Sequence, residues 1–346
     1  MLDLRDLDLP IVAAPMAGGP STPALAAAVS GAGGLGFLAA GYKSAARVAE
    51  ELAALRAATT APLALNLFVV EPFAPPPDVL AAYRGALLPE AERLGVELGE
   101  PRWDDDDGEA KVELVLDERP DVVSFTFGCP EPGVLRRLAA AGIHTTVTVT
   151  TPVEAQAAAV AGAASLCVQG PEAGGHRGTW DQQAAPGTSP LPDLLAAVVR
   201  QVDVPVVAAG GLMDASAVAG VLELGAVAAQ VGTAYLLADE AGTNPLQRAT
   251  VGDRTFEATE VTRAFTGRWA RGLANRFVLD HRDAPAGYPQ LHHLTAPLRS
   301  AAVAARDADV AHFWAGTGHA RARAGSAAEI TRSLVPPGRP APGRTS

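Results

Sequence analysis

VPVVAAGGLMDASAVAGVLELGAVAAQVGT, residues 204–233, is the stretch whose pattern decides the fold. Two runs of small and β-branched apolar residues, Val204–Ala208 and Ala226–Val231, flank an Ala/Val/Leu-rich stretch, Asp214–Glu223. A run that is apolar throughout, rather than at alternate positions, fits a strand covered on both faces, as in a parallel sheet. The stretch between has the length of one crossover helix, so the unit reads strand–helix–strand.

The same unit repeats toward the N-terminus. Strands are expected at Ile11–Ala14, Leu35–Ala39, Pro62–Phe68, Asp121–Phe125, Ile143–Val149 and Ser165–Gln169. Helices are expected over Pro23–Ser30, Ser44–Ala57, Pro132–Ala140, Pro152–Ala161 and Pro192–Gln201. Eight buried strands separated by helices are the pattern of a closed (β/α)8, or TIM, barrel, and 346 residues accommodate one with additions. An open doubly wound sheet is the alternative, but it usually has fewer strands. The expected division is a barrel over 1–240 with an insertion after the third strand at about 71–118, then a helical C-terminal segment, 241–334, packed on the barrel mouth. The last residues, 335–346, end in PPGRPAPGRTS and read as disordered. Within the insertion, a helix is expected near Pro89–Leu94. The acidic run Asp104–Asp107 reads as a solvated loop, because consecutive carboxylates cannot all face one ion.

Composition narrows the function classes. Hydrophobic residues make up 48% of the chain, enough for a large core. A net charge of −11 argues against nucleic acid and anionic membrane surfaces as partners. Cys129 and Cys167 form no CxxC or metal-ligand spacing and read as two buried thiols in a reducing compartment. MLDLRDLDLP lacks the basic start and apolar stretch of a signal peptide. The uncharged run between Pro20 and Lys43 is long enough to span a bilayer, but its Ala, Ser, Thr and Gly content fits a helix, a turn and a strand better. A cytoplasmic protein is expected. Gly31, Gly33 and Gly36 spell the dinucleotide GxGxxG, yet here a helix precedes and a strand follows, the reverse of what that fingerprint requires. These glycines read as a helix end and a close helix–strand turn.

Barrel active sites lie at the C-terminal ends of the strands. Strand seven ends in Gly210-Gly211, and strand eight in Gln230-Val231-Gly232-Thr233 before a short helix. Adjacent Gly-rich turns there suit a phosphate, held by backbone N–H groups, a helix start and the Thr233 hydroxyl. Strand six runs into QGPEAGGH: Gln169, then Gly174, Gly175 and His176, with the glycines able to lie against a flat ring and His176 facing the mouth as a base or anion holder. Strand one ends in Ala14-Pro15-Met16, whose backbone suits the edge of a planar cofactor, and strand three in Asn66. The other histidines, His144, His281, His292, His293, His312 and His319, have no partner spacing and read as structural. HExxH and GxSxG motifs are lacking.

PMAGGPSTPALAAAVSGAGGLGFLAAGY, NLFV, VSFTFG, QGPEAGGHRGT, AAGG, QVGT and AFTGRWARGLANRF together resemble the nitronate monooxygenases, formerly 2-nitropropane dioxygenases, over nearly the whole chain. QGxEAGGHxG alone is shared with related flavin barrels, including FMN-dependent enoyl-acyl-carrier-protein reductases. The insertion with VELGEPRWDDDD and the AFTGR…ARGLxNRF tail resemble the monooxygenases more specifically. The resemblance implies bound FMN and oxidation of alkyl nitronates, such as propionate 3-nitronate, by O2 to a carbonyl compound and nitrite. It implies that Asn66, Gln169, Gly174, Gly211 and Gln230–Thr233 bind FMN and that His176 is catalytic. Tyr288, in GYPQLHHLTAP, is the candidate substrate contact. A monomer or homodimer is expected. An FMN-dependent NAD(P)H reductase of enoyl thioesters or quinones, and a flavin-free barrel binding a phosphorylated metabolite, are the competing readings.

Overall fold

The computed structural model describes residues 1–337. Its strands are β1 (Ile11–Ala13), β2 (Leu35–Ala39), β3 (Ala64–Phe68), β4 (Val122–Thr126), β5 (His144–Val149), β6 (Ser165–Gln169), β7 (Gly175–His176), β8 (Val206–Ala209), β9 (Ala228–Val231), β10 (Thr259–Thr262) and β11 (Ala270–Leu273). Its helices are α1 (Pro23–Gly31), α2 (Ala45–Ala58), α3 (Pro77–Leu94), α4 (Gly108–Glu118), α5 (Pro132–Ala140), α6 (Pro152–Ala161), α7 (Leu191–Val199), α8 (Ala215–Glu223), α9 (Pro245–Gly252), α10 (Arg276–Asp280), α11 (Gln290–Ala304) and α12 (Ala327–Ser333). Eight parallel strands close in the order β1-β2-β3-β4-β5-β6-β8-β9, and β9 pairs with β1 through Ala229 opposite Ile11. This is the TIM barrel; the seventh and eighth barrel strands are β8 and β9.

The continuous apolarity of the strands is explained by two cores. Inside the barrel floor, Val12, Leu35, Phe37, Ala64, Val122, Val207 and Ala228 pack together, and Leu4 and Leu7 plug them from the N-terminus. Outside, Ile11, Val147, Leu166, Val206 and Ala229 pack against helix residues such as Leu195, Val198, Val218 and Val221. Each fully buried Val or Leu contributes on the order of 1.5–3 kcal/mol. Thr22, Ser44, Thr151 and Asp214 cap α1, α2, α6 and α8 through side-chain oxygens, so the helices start where the caps are written. Gly36 does mark a close helix–strand approach: a Cβ there would stand 2.2 Å from the Ala26 carbonyl oxygen. No helix of the described residues is long and apolar enough to cross a membrane.

The additions differ from the sequence expectations in three ways. The insertion helix α3 begins at Pro77, not near Pro89, and carries Pro89 inside it. Its stripe of Tyr83, Leu87 and Ala91 is buried against Leu291, Leu294 and Leu298 of α11, and that packing outweighs the proline's local preference. The acidic run is a loop with Asp105 and Asp107 exposed, as expected, but Asp106 is not solvated. Asp106 is buried and pairs with Lys111 Nζ at 2.7 Å, its Oδ1 accepts the Tyr42 amide at 2.7 Å, and Asp107 accepts the Ala45 amide at 3.3 Å. Burial raises the Asp106 carboxyl to about 6 despite the ammonium of Lys111. The C-terminal segment is only partly helical: β10 and β11 form an antiparallel hairpin to which β7 adds a third strand. Of the expected tail, 338–346 lie outside the described residues. Of the two thiols, Cys167 is buried and Cys129 only half-buried.

Candidate active site

The C-terminal strand ends surround a cleft open to solvent. Ala14, Pro15, Met16 and Asn66 line one part of it; Gln169, Gly174, Gly175 and His176 another; Gly210, Gly211 and Gln230–Thr233 a third. Among the described residues its lining contains no Asp, Glu, Lys or Arg.

The third part is a ring of hydrogen-bond donors. Gly210 and Gly211 follow β8 with φ of 123° and 69°, a region closed to most side chains. The N–H groups of Gly210, Gly211, Gly232 and Thr233 have no acceptor among the described residues. The Thr233 hydroxyl accepts the Gly316 amide at 2.9 Å, leaving its own proton to donate. Unpaired N–H groups converging on one cavity make a seat for an anion such as a phosphate. The expected helix start adds little, because the segment after Gly232 is a 3-10 turn of 3 residues, Thr233–Tyr235, too short for a useful dipole.

The flat part of the cleft is preorganised by the chain's own hydrogen bonds. The amides of Ala14 and Met16 are taken by Val231 O at 2.8 Å and Ser21 Oγ at 2.9 Å, and Pro15 has none. This segment therefore offers carbonyl oxygens rather than donors to a ring edge. Asn66 Nδ2 donates to Ser124 Oγ and Thr126 Oγ1, both at 2.9 Å, which fixes the carboxamide and leaves its oxygen for a donor. Gln169 spans its own loop, with Nε2 donating to His176 O at 3.0 Å and Oε1 accepting the Gly178 amide at 2.8 Å; its second N–H remains for a ligand. Gly174 is required by the protein itself: a Cβ there would lie 2.4 Å from Gly316 N and 2.5 Å from Ala315 C.

His176 is held as the edge of the three-stranded sheet, opposite Ala270 of β11. Its Nε2 lies 2.8 Å from Thr266 Oγ1, and that hydroxyl donates to Arg268 O at 3.3 Å. Thr266 therefore accepts from His176, which places the ring proton on Nε2 and the lone pair on Nδ1. Desolvation, with the positive charges of Arg268 and Arg299, lowers the imidazole from 6.5 to about 3. Burial thus favours the neutral ring, a base, over a cationic anion holder.

An aromatic wall encloses this imidazole. Trp314 lies 5.3 Å and Phe127 5.7 Å from it, centroid to centroid, and Phe68 packs 4.6 Å from Phe127. Tyr288, the candidate substrate contact, is not among the lining residues of this cleft; its buried ring lies 5.7 Å from Phe127 and 6.3 Å from His176, and its amide donates to Gln182 Oε1. Tyr42 takes the lining position instead. His312, read from the sequence as structural, also lines the cleft, and burial lowers it to about 3. His292 stacks on Tyr42 at 4.3 Å, outside the cleft lining. The C-terminal segment therefore supplies His312, Trp314 and Gly316, none of which the strand-end logic could reach; the FWAGTG run, Phe313–Gly318, was their only sequence signal.

The family profile described as nitronate monooxygenase matches residues 3–337. The nitronate monooxygenase of Pseudomonas aeruginosa is 40% identical over 352 aligned residues, covering 96% of this chain and 97% of that protein. A crystal structure of nitroalkane oxidase from Streptomyces ansochromogenes superposes with a TM-score of 0.90 at 47% identity, covering 95% of each chain. FabK from Thermotoga maritima has a TM-score of 0.74 at 26% identity, over 96% of this chain and 93% of that one. The chain belongs to the nitronate monooxygenase family, a family of oxidoreductases.

Proposed function

We propose that this member of the family is an FMN-dependent nitronate monooxygenase that oxidises alkyl nitronates with O2 to a carbonyl compound and nitrite. The observation that carries the reading is the pairing of an acceptor-free N–H ring with a neutral histidine in an aromatic pocket of one cleft. The N–H groups of Gly210, Gly211, Gly232 and Thr233 would hold the FMN phosphate, and Gln230 and Gly174–Gly175 the remainder of the nucleotide. Asn66, Gln169 and the carbonyls of Ala14–Met16 would meet the polar edge of the ring. When bound, FMN supplies the electron transfer that the side chains cannot.

The chain's own residues supply position and a proton acceptor. A nitronate is already an anion and needs no deprotonation, so for that substrate the neutral His176 and the walls Phe127 and Trp314 serve to orient the carbon to be oxidised. For a nitroalkane, His176 Nδ1 would take the α-proton; its lowered pKa leaves it unprotonated at ordinary pH but also makes it a weaker base than a free imidazole. The aromatic wall excludes water from the reacting carbon.

The test is direct. The purified protein should be yellow, release about one FMN per chain on heat denaturation, and consume O2 with equal release of nitrite when given propionate 3-nitronate. A colourless protein that binds no FMN overturns the proposal.

A further inference from the structure

The neutrality of His176 leaves a question about charge. A nitronate carries a full negative charge into a cleft whose lining holds no cation, yet two guanidiniums lie directly behind that lining. Arg268 is 5% exposed. Its guanidinium sits 4.1 Å over the Phe127 ring, the ring that faces His176 from its other surroundings at 5.7 Å. Its Nη2 donates to the carbonyls of Thr179, Trp180 and Phe127, while its buried Nε has no partner. Arg299 donates from Nε to Thr295 Oγ1 at 3.1 Å and from Nη2 to His292 Nδ1 at 3.2 Å and His292 O at 3.0 Å. His292 in turn stacks on Tyr42, which lines the cleft.

Among the described residues neither guanidinium has a carboxylate within ion-pair distance. Desolvation lowers both to about 10, so both remain charged. A desolvated cation without a counter-ion is costly, and such charges are normally paired. Arg177, Arg248 and Arg263 are likewise held by backbone carbonyls without a carboxylate, so what singles out Arg268 and Arg299 is their place behind residues that line the cleft. Phe127 strengthens the argument, since it holds φ of 80°, a strained conformation for a bulky residue, and its own carbonyl is one of the acceptors of Arg268. The ring is fixed between the cation and the cleft.

We propose that Arg268 and Arg299 are positioning residues that supply the missing counter-charge for the substrate, so that the cleft selects a planar anion, the nitronate, over its neutral nitroalkane conjugate acid. The inference rests on the reading of the cleft as a nitronate site. Arg268 acts through the face of Phe127, and Arg299 through His292 and Tyr42. One unit charge about 8 Å from another, at an effective dielectric of about 20, is worth a factor of roughly thirty in binding.

Two measurements test this. In the wild-type enzyme, acetate and acetamide, a planar anion and its neutral isostere, are compared as competitive inhibitors of nitronate oxidation; acetate should bind at least tenfold more tightly, and equal inhibition overturns the proposal. In Arg268→Met, KM for the nitronate of 1-nitropropane should rise roughly thirtyfold, and in Arg299→Met, whose charge stands farther back behind His292 and Tyr42, roughly tenfold. With neutral 1-nitropropane, whose charge appears only as its proton leaves, KM should stay within about threefold while kcat falls. Arg299→Lys should recover much of the nitronate KM. A structural defect would degrade both substrates alike, and that result, or no change with the nitronate, contradicts the proposal. Should the variants not fold, the acetate–acetamide comparison decides alone. If no nitronate is oxidised at all, the comparison is read from flavin absorbance changes on adding each ligand, so failure of the function and failure of the charge argument are told apart.

Discussion

Acidification should unfold this protein well before its carboxylates alone would. His176, His292 and His312 are lowered from 6.5 to about 3, 2 and 3 by desolvation and by the charge of Arg299. All three are only half-buried by surface exposure, and for His176 and His312 that surface is the wall of the cleft. A histidine whose folded pKa is depressed stabilises the fold fully above 6.5 and loses that contribution as pH falls toward the folded value, because the unfolded chain binds the proton first. At pH 4.5 the unfolded histidines lie two units below their pKa while the folded ones are still neutral. Each then costs about 3 kcal/mol relative to pH 8, or on the order of 8 kcal/mol for three. Asp106, raised to about 6, has the opposite sign: folding favours its protonated form between 6 and 3.8, which returns about 2 kcal/mol. The net loss of about 6 kcal/mol is comparable to the whole stability of an ordinary domain. Urea unfolding followed by circular dichroism at pH 8, 6.5, 5.5 and 4.5 measures it. The free energy of unfolding should fall steeply below 6.5, and His312→Gln should remove about a third of the histidine contribution. A free energy that stays level within about 1 kcal/mol from pH 8 to 4.5 would refute the claim that these imidazoles are held neutral.

His176→Asn should cut turnover of a neutral nitroalkane by about 10²–10⁴, the usual yield of a positioned base, while FMN stays bound; wild-type turnover would remove His176 from the chemistry. With wild-type enzyme, kcat/KM for a nitroalkane should show no acid limb near pH 6.5 in stopped-flow assays over pH 5.5–8, since His176 Nδ1 stays unprotonated there. Gly174→Ala should lower stability by about 1–3 kcal/mol, because its Cβ meets backbone atoms at 2.4 and 2.5 Å that have no room to yield. Gly220→Ala, in α8 with nothing within 4 Å of the new methyl, should instead raise stability by about 0.5–1 kcal/mol in thermal melts.

The barrel was legible in the sequence because its strands are buried on both faces, which produces apolar runs with no alternation. The strand-end residues of the cleft followed from that, since the barrel itself brings 14–16, 66, 169–176, 210–211 and 230–233 to one mouth. What the sequence hid depends on contacts distant along the chain. Trp314 reaches the cleft through its bridge to Gly272 of β11, next to the Leu273 amide that donates to Phe313 O at 2.9 Å. The role of Asp106 rests on Tyr42, 64 positions away. The ring of Tyr288 packs beside Phe127 and His176 while Gln182 holds its amide, a placement that no sequence pattern reports. The lowered pKa of His176 comes first from burial in the folded cleft and then from Arg268 and Arg299, 92 and 123 residues downstream, and no local pattern reports either.

The central claim is that this cleft oxidises nitronates with bound FMN. Anaerobic mixing with propionate 3-nitronate, followed by flavin absorbance, tests it most directly. The account predicts loss of the oxidised flavin bands with the nitronate and indifference to NADH and NADPH. Rapid bleaching by a pyridine nucleotide, with no response to the nitronate, would contradict it and identify a reductase.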